Sequence, residues 1–182
     1  MGVGFLEGVG YALMAEKLLL SGYYGTHLPA LIRCMERTTG PVLEMGMGVY
    51  STPFLHYACQ LAGRHLTSYE TDPKWASYHK RYGYECATHT IKVITDWDAA
   101  EIDRPWDVAL VDHDPSSRRV VDIARLAPHA RYVVAHDADE KYDMVYHYSR
   151  IYPLFQYRAL WDREWRHAVV LSNFNELKDF WA

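Results

Sequence analysis

Cysteine is scarce in this chain: Cys34, Cys59 and Cys86 are the three among 182 residues, far apart and with no CxxC pair. An odd, scattered set excludes a disulfide framework and a cysteine zinc site, and it predicts buried thiols in a reducing compartment, hence a cytoplasmic protein. Basic charge is short as well. Lys and Arg number 19 against 23 Asp and Glu, a formal charge of −4, whereas nucleic-acid binding rests on a basic excess over one face. A basic doublet, Arg118-Arg119, stands mid-chain, and no nucleic-acid partner is expected. Long apolar runs are missing too: the opening MGVGFLEGVGYALMAEKLLLSG is interrupted by Glu7, Glu16 and Lys17, and no basic region precedes it. It is too short and too charged to span a membrane and reads as an amphipathic helix rather than a signal peptide. Leu6 stands where a myristoylation signal wants Ser or Thr. No membrane partner is expected.

There is no internal repeat, low-complexity tract or Ser/Gly linker, so a single domain over residues 1–182 is expected, with a helical segment at 1–39 and a core at 40–182. The 49% hydrophobic content suffices for one substantial core. Helical spacing predicts helices over Gly8 to Leu20 and Pro29 to Arg37, stopped by Gly40 and Pro41. Strand-like and helical runs then alternate. Strands are predicted at Val42–Met45, His65–Tyr69, Ile91–Thr95, Val108–Val111 and Tyr132–Ala135. Helices are predicted at Pro53–Leu61, Lys74–Tyr82, Arg118–Leu126 and Tyr142–Arg150. Apolar strands in such a rhythm are those of a parallel sheet covered on both faces. Phe155–Trp161 and Ala168–Ser172 leave no room for a crossover helix and must pair antiparallel. The fold class is therefore α/β: a Rossmann-like, doubly wound sheet, mostly parallel with a C-terminal antiparallel hairpin strand and helices on both faces.

A doubly wound sheet binds ligands beyond the carboxyl ends of its strands, so the residues that follow each strand carry the chemistry. The first strand runs into Glu44-Met45-Gly46-Met47-Gly48-Val49-Tyr50-Ser51. Gly46 and Gly48 allow a tight turn and close backbone approach to a ligand, though Tyr50 stands near where a dinucleotide fingerprint has its third glycine. Glu70 ends the second strand about twenty residues on, where an acid can accept ribose hydroxyls. Asp96 and Trp97 follow the third strand and suit hydrogen bonding to and stacking on a purine, while Trp97 equally fits a core position. The fourth and fifth strands run into Asp112-His113-Asp114 and His136-Asp137-Ala138-Asp139. In adjacent parallel strands these clusters face each other, as a cation site or a proton acceptor, with helix capping as the alternative for Asp114 and Asp139. Tyr23-Tyr24-Gly25-Thr26-His27 has the groups of an acceptor lid, or of a plain surface loop.

Together these residues resemble the class I S-adenosylmethionine-dependent methyltransferases over about Gly40 to Ser172. The resemblance implies S-adenosyl-L-methionine as cofactor, bound by Glu44, Gly46, Gly48, Ser51, Glu70, Asp96 and Trp97. In its fourth and fifth strand motifs the chain looks like the metal-dependent O-methyltransferases of the catechol and sugar-modifying types. That implies Asp112, His113 and His136 as catalytic residues and Mg2+ on Asp112 and Asp137. Two departures stand out: Ala138 replaces the asparagine of the catechol type, and Pro115 stands where its lysine base belongs. The activity implied is methyl transfer to a small-molecule acceptor, a hydroxyl first. The alternatives are an S-adenosylmethionine-cleaving hydrolase or lyase in the same pocket, or a silent cofactor-binding subunit. The silent reading draws on those two departures and on fifteen tyrosines and six tryptophans that can furnish an interface; assembly as a homo-oligomer is open.

Overall fold

The structure is a computed structural model and describes residues 23–182. The helix expected over Gly8 to Leu20 lies outside the described residues. The chain forms α1 (Leu28–Glu36), β1 (Val42–Met45), α2 (Ser51–Ala62), β2 (Leu66–Glu70), α3 (Pro73–Lys80) and β3 (His89–Val93). It continues through β4 (Trp106–Val111), α4 (Arg119–Leu126), β5 (Ala130–His136), the short α5 (Asp143–Tyr146), β6 (Tyr157–Trp161) and β7 (Ala168–Ser172). All seven strands join one sheet in the order β3-β2-β1-β4-β5-β7-β6. The first five are parallel, and β7 enters antiparallel between β5 and β6. The expected fold class is what the chain adopts.

The strands alternate their side chains between two cores, as a period of two requires. Leu43, Met45, Ala109, Val111, Val133 and Ala135 pack on one face with Ile123 and Leu126 of α4. Val42, Val108, Leu110 and Val134 pack on the other with Leu31 of α1 and Leu55 of α2. Every residue of β1, β2 and β7 is buried. Helix ends follow local chemistry. Asp72 caps α3 by accepting from the Lys74 and Trp75 amides, ahead of Pro73. Gly63 ends α2 in the left-handed conformation.

The differences from sequence expectation have physical causes. β3 begins two residues earlier than the apolar run, at His89, because a buried imidazole fills an inward position there beside Ser68 and His56. The helix expected over Tyr142–Arg150 stops at Tyr146, where His147 turns to φ +58. Cys34 and Cys59 are buried as expected, whereas Cys86 is exposed, and all three are free. Among the described residues, no helix is long and apolar enough to cross a membrane.

Candidate active site

The loops after β1, β4 and β5 enclose a cleft of about 580 Å³. Its near wall is the turn Met47-Gly48-Val49-Tyr50 with Trp75 of α3, whose indole Nε1 donates to the Met47 carbonyl. Its far wall holds His27, Asp112, Arg119, His136, Asp137, Tyr146 and Arg166.

The two walls meet at Gly46. Its amide donates to the Tyr69 carbonyl, and the Asp112 amide donates to the Met45 carbonyl. Gly46 sits at φ +88, and a Cβ there would lie 2.6 Å from the Asp112 carbonyl oxygen and 2.7 Å from the His113 Cα. Glycine is required on both counts, for the left-handed backbone and for a backbone contact that leaves no room for a side chain.

Behind the near wall, Glu44 is wholly buried and accepts from the hydroxyls of Thr52 and Ser68. Burial pushes its carboxyl up to about 7, against the hydrogen bonds of Ser68, Ser51 and Thr52. Ser51 is buried toward that carboxyl rather than toward the cleft. Glu70 closes the turn from the β2 side: Oε2 accepts from the Met47 amide, and Oε1 from the amides of Thr71 and Asp72. A carboxylate has about four acceptor positions, so these three leave one for a ligand hydroxyl.

The β3 side turns inward. Trp97 is buried, donates to the Asp114 carbonyl at 2.7 Å and stacks on His113 with centroids 4.0 Å apart. His113 is buried beneath the cleft with Nε2 3.1 Å from Asp122 Oδ2. Neither lines the cleft. Asp96 is exposed and caps a single helical turn by accepting from the Asp98 amide.

At the far wall the structure brings Asp112, His136 and Asp137 together, but around a guanidinium. Arg119 Nη1 stands 3.0 Å from Asp112 Oδ1 and 3.3 Å from Asp137 Oδ2. Asp137 also takes Arg166 Nη1 at 3.0 Å and the Tyr146 hydroxyl at 2.9 Å. The pair named by the resemblance for Mg2+ thus does not fit that ion. Mg2+ demands a near-octahedral oxygen shell, and an organic cation already holds the position between these carboxylates. Asp137 reaches it from φ +59 rather than as a helix cap. Asp139, a cap candidate with Asp114, stands at the N-cap position of the turn Glu140–Tyr142, but its carboxylate accepts from the His167 amide.

The remaining Asp112 oxygen, Oδ2, is 3.2 Å from His136 Nδ1. Burial opposes the Asp112 charge, but His136 and Arg119 outweigh it and hold the carboxyl well below the usual range. Burial likewise opposes charge on His136, and Asp112 reverses the balance and raises it. The Thr26 hydroxyl donates to the Arg166 carbonyl and so meets His136 Nε2, 2.9 Å away, with its oxygen lone pair. Nε2 therefore carries a proton, as does the Nδ1 that faces the carboxylate. His27 lies beside it, ring centroids 4.7 Å apart and nearly perpendicular. It is only 2% exposed, and among the described residues neither ring nitrogen has a hydrogen-bond partner. Burial, then the His136 charge, lowers its pKa to about 3, so it is neutral.

Sequence reasoning missed Arg119, Tyr146, Arg166 and Trp75. The one available signal was the Arg118-Arg119 doublet, which the fold splits. Arg118 pairs with exposed Asp98 and buried Asp122, while Arg119 turns into the cleft. In the segment read as lid or loop, Tyr24 is exposed at the cleft mouth and Thr26 and His27 are buried in its wall.

No protein-family model and no curated protein matches this sequence. Solved structures match in shape. The delta-N METTL16 MTase domain aligns with TM-score 0.61 at 11% identity, covering 82% of each chain. Cofactor-bound Rv0187 from MTB aligns with TM-score 0.60 at 16% identity over 92% of this chain and 90% of that one. A human methyltransferase 10 domain containing protein aligns with TM-score 0.59 at 13% identity over 82% and 81%. At such identities the likeness is one of architecture: the chain has the Rossmann-like fold of the class I methyltransferases.

Proposed function

We propose that the protein is an S-adenosylmethionine-dependent methyltransferase acting on a small-molecule acceptor, with a hydroxyl as the group methylated. The observation that carries this reading is the Gly46 junction, where the β1 turn and the Asp112 loop share one backbone contact. It fixes a nucleotide-type turn and a wall of ionised side chains on opposite sides of one cleft.

When bound, the cofactor supplies an electrophilic methyl on a sulfonium. The chain's own residues position the partners, the main source of rate in such a displacement. The Met47–Tyr50 turn and Trp75 line the cofactor's side of the cleft, and the free acceptor position on Glu70, which braces that turn from behind, suits a ribose hydroxyl. Asp112, ionised and held by Arg119, suits a hydrogen bond from the acceptor hydroxyl. An oxygen that gains a methyl becomes a strongly acidic oxonium, so even a weak base completes the step. His27 is the neutral imidazole at hand to take that proton, since His136 already carries both of its own. His113, buried under the floor, takes no part in this reading.

Titration calorimetry with S-adenosylmethionine tests the cofactor half. Binding by the wild type and weakening of about tenfold by Glu70→Ala, one charge-assisted hydrogen bond, are expected. No binding at millimolar ligand rejects the reading. Steady cofactor consumption without any acceptor points instead to a cleaving enzyme.

A further inference from the structure

The far wall contains a donor set that the methyl-transfer reading leaves partly idle. His27, Asp112 and His136 each offer one ligand atom, all within 4.8 Å of one another. We infer that these three side chains form a binding site for a borderline divalent metal of the Zn2+ or Co2+ type, two imidazoles and one carboxylate, open on the cleft side.

Four features support the assignment. First, His27 is buried, and both its ring nitrogens are unpartnered among the described residues. A buried polar group without a partner is costly and calls for an explanation such as a bound ion. Second, the 3.2 Å between His136 Nδ1 and Asp112 Oδ2 matches the donor-to-donor edge of a tetrahedron with bonds of about 2.0 Å, roughly 3.3 Å. The His27 nitrogen lies within 4.8 Å of both donors and draws in by up to about 1.5 Å to close the third corner.

Third, the outer partners are those that metal ligands use. His136 Nε2 is held by Thr26, and Asp112 Oδ1 by Arg119, leaving Nδ1 and Oδ2 turned to the common centre. Fourth, the donors are nitrogen-rich, which selects ions that accept imidazole over Mg2+. The ion enters by displacing the Nδ1 proton of His136, which leaves to solvent. This separates the site from the Asp112 and Asp137 pair, where Arg119 takes the place of a cation.

Three protein ligands leave a fourth position toward the acceptor. An ion there acts as a Lewis acid on an acceptor oxygen and lowers the pKa of its hydroxyl, replacing His27 as the means of managing that proton. Only this use rests on the methyl-transfer reading; binding of the ion does not.

The test titrates chelator-treated protein with Co2+ and follows its visible ligand-field absorption. Saturation at one equivalent with a four- or five-coordinate spectrum is expected. His27→Ala should weaken binding at least a hundredfold and His27→Asp, which restores a ligand, should recover most of it. His65→Ala, an exposed histidine, should change nothing, and millimolar Mg2+ should not compete. Failure of the wild type to saturate, or equal affinity in His27→Ala, overturns the inference. S-adenosylmethionine calorimetry on His27→Ala confirms that the variant is folded and tests the cofactor reading separately, since His27 lies on the opposite wall.

Discussion

Glu44 and Asp112 are acids near the carboxyl ends of adjacent parallel strands, β1 and β4, and their surroundings drive their protons in opposite directions. Glu44 is hydrogen-bonded by hydroxyls and has the Glu70 carboxylate nearby instead of a cation, so burial prevails and its carboxyl rises to about 7. Asp112 meets His136 and Arg119, and those cations overcome burial and keep it ionised. Neutral dipoles make Glu44 a strut behind the cofactor turn. Fixed charges make Asp112 part of a wall that a polar ligand can use.

The strongest way to break this contrast is to neutralise Asp112. Asp112→Asn leaves Arg119 and His136 in the far wall without their counter-charge, and a loss of roughly 3–5 kcal/mol is expected from urea denaturation. A change under 1 kcal/mol would mean that the pairing contributes little.

The contact between the two strand ends is challenged by Gly46→Ala, which combines a left-handed backbone with a clash against backbone atoms. A cost of about 3–4 kcal/mol and loss of cofactor binding are expected.

Glu44→Gln sharpens the contrast from the other side. An acid whose folded pKa of about 7 exceeds its ordinary 4.5 contributes stability that is complete below pH 4.5 and is lost as pH rises through 7. Removing the titration should flatten that loss, a relative gain of about 3 kcal/mol at pH 8. Parallel stability curves for the two proteins from pH 4.5 to 8 would show that Glu44 is ionised throughout.

Smallest is Gly63→Ala at the end of α2. That glycine is also left-handed, φ +64, but nothing lies within 4 Å of a Cβ there. A loss of about 1 kcal/mol in thermal melts is expected, with cofactor binding intact. Equal costs at Gly46 and Gly63 would deny the strand-end contact any special role.

The sheet was legible because burial on both faces writes itself as apolar runs, from Val42–Met45 to Ala168–Ser172. Glycine chemistry likewise marked Gly46 and Gly48. What periodicity cannot carry is direction. His113 lies two residues past β4 and His136 ends β5, yet one turns under the floor onto Trp97 and the other into the cleft. Trp97 was ambiguous for the same reason, and its indole is satisfied inside by the Asp114 carbonyl. Arg119 went unread because its partners, Asp112 and Asp137, come from two different strand ends, a proximity that exists only once β4 and β5 pair.

Thr26 touches His136 and Arg166, residues 110 and 140 positions further along. Contacts so remote in sequence carry a large loop-closure cost. A ribosome delivers residue 26 long before residue 166. The far wall is consequently the part of the cleft that synthesis completes last. While the chain is being made, the β1 turn exists without its opposing face, and a complete cleft appears only when the final hairpin arrives and the whole sheet is in place.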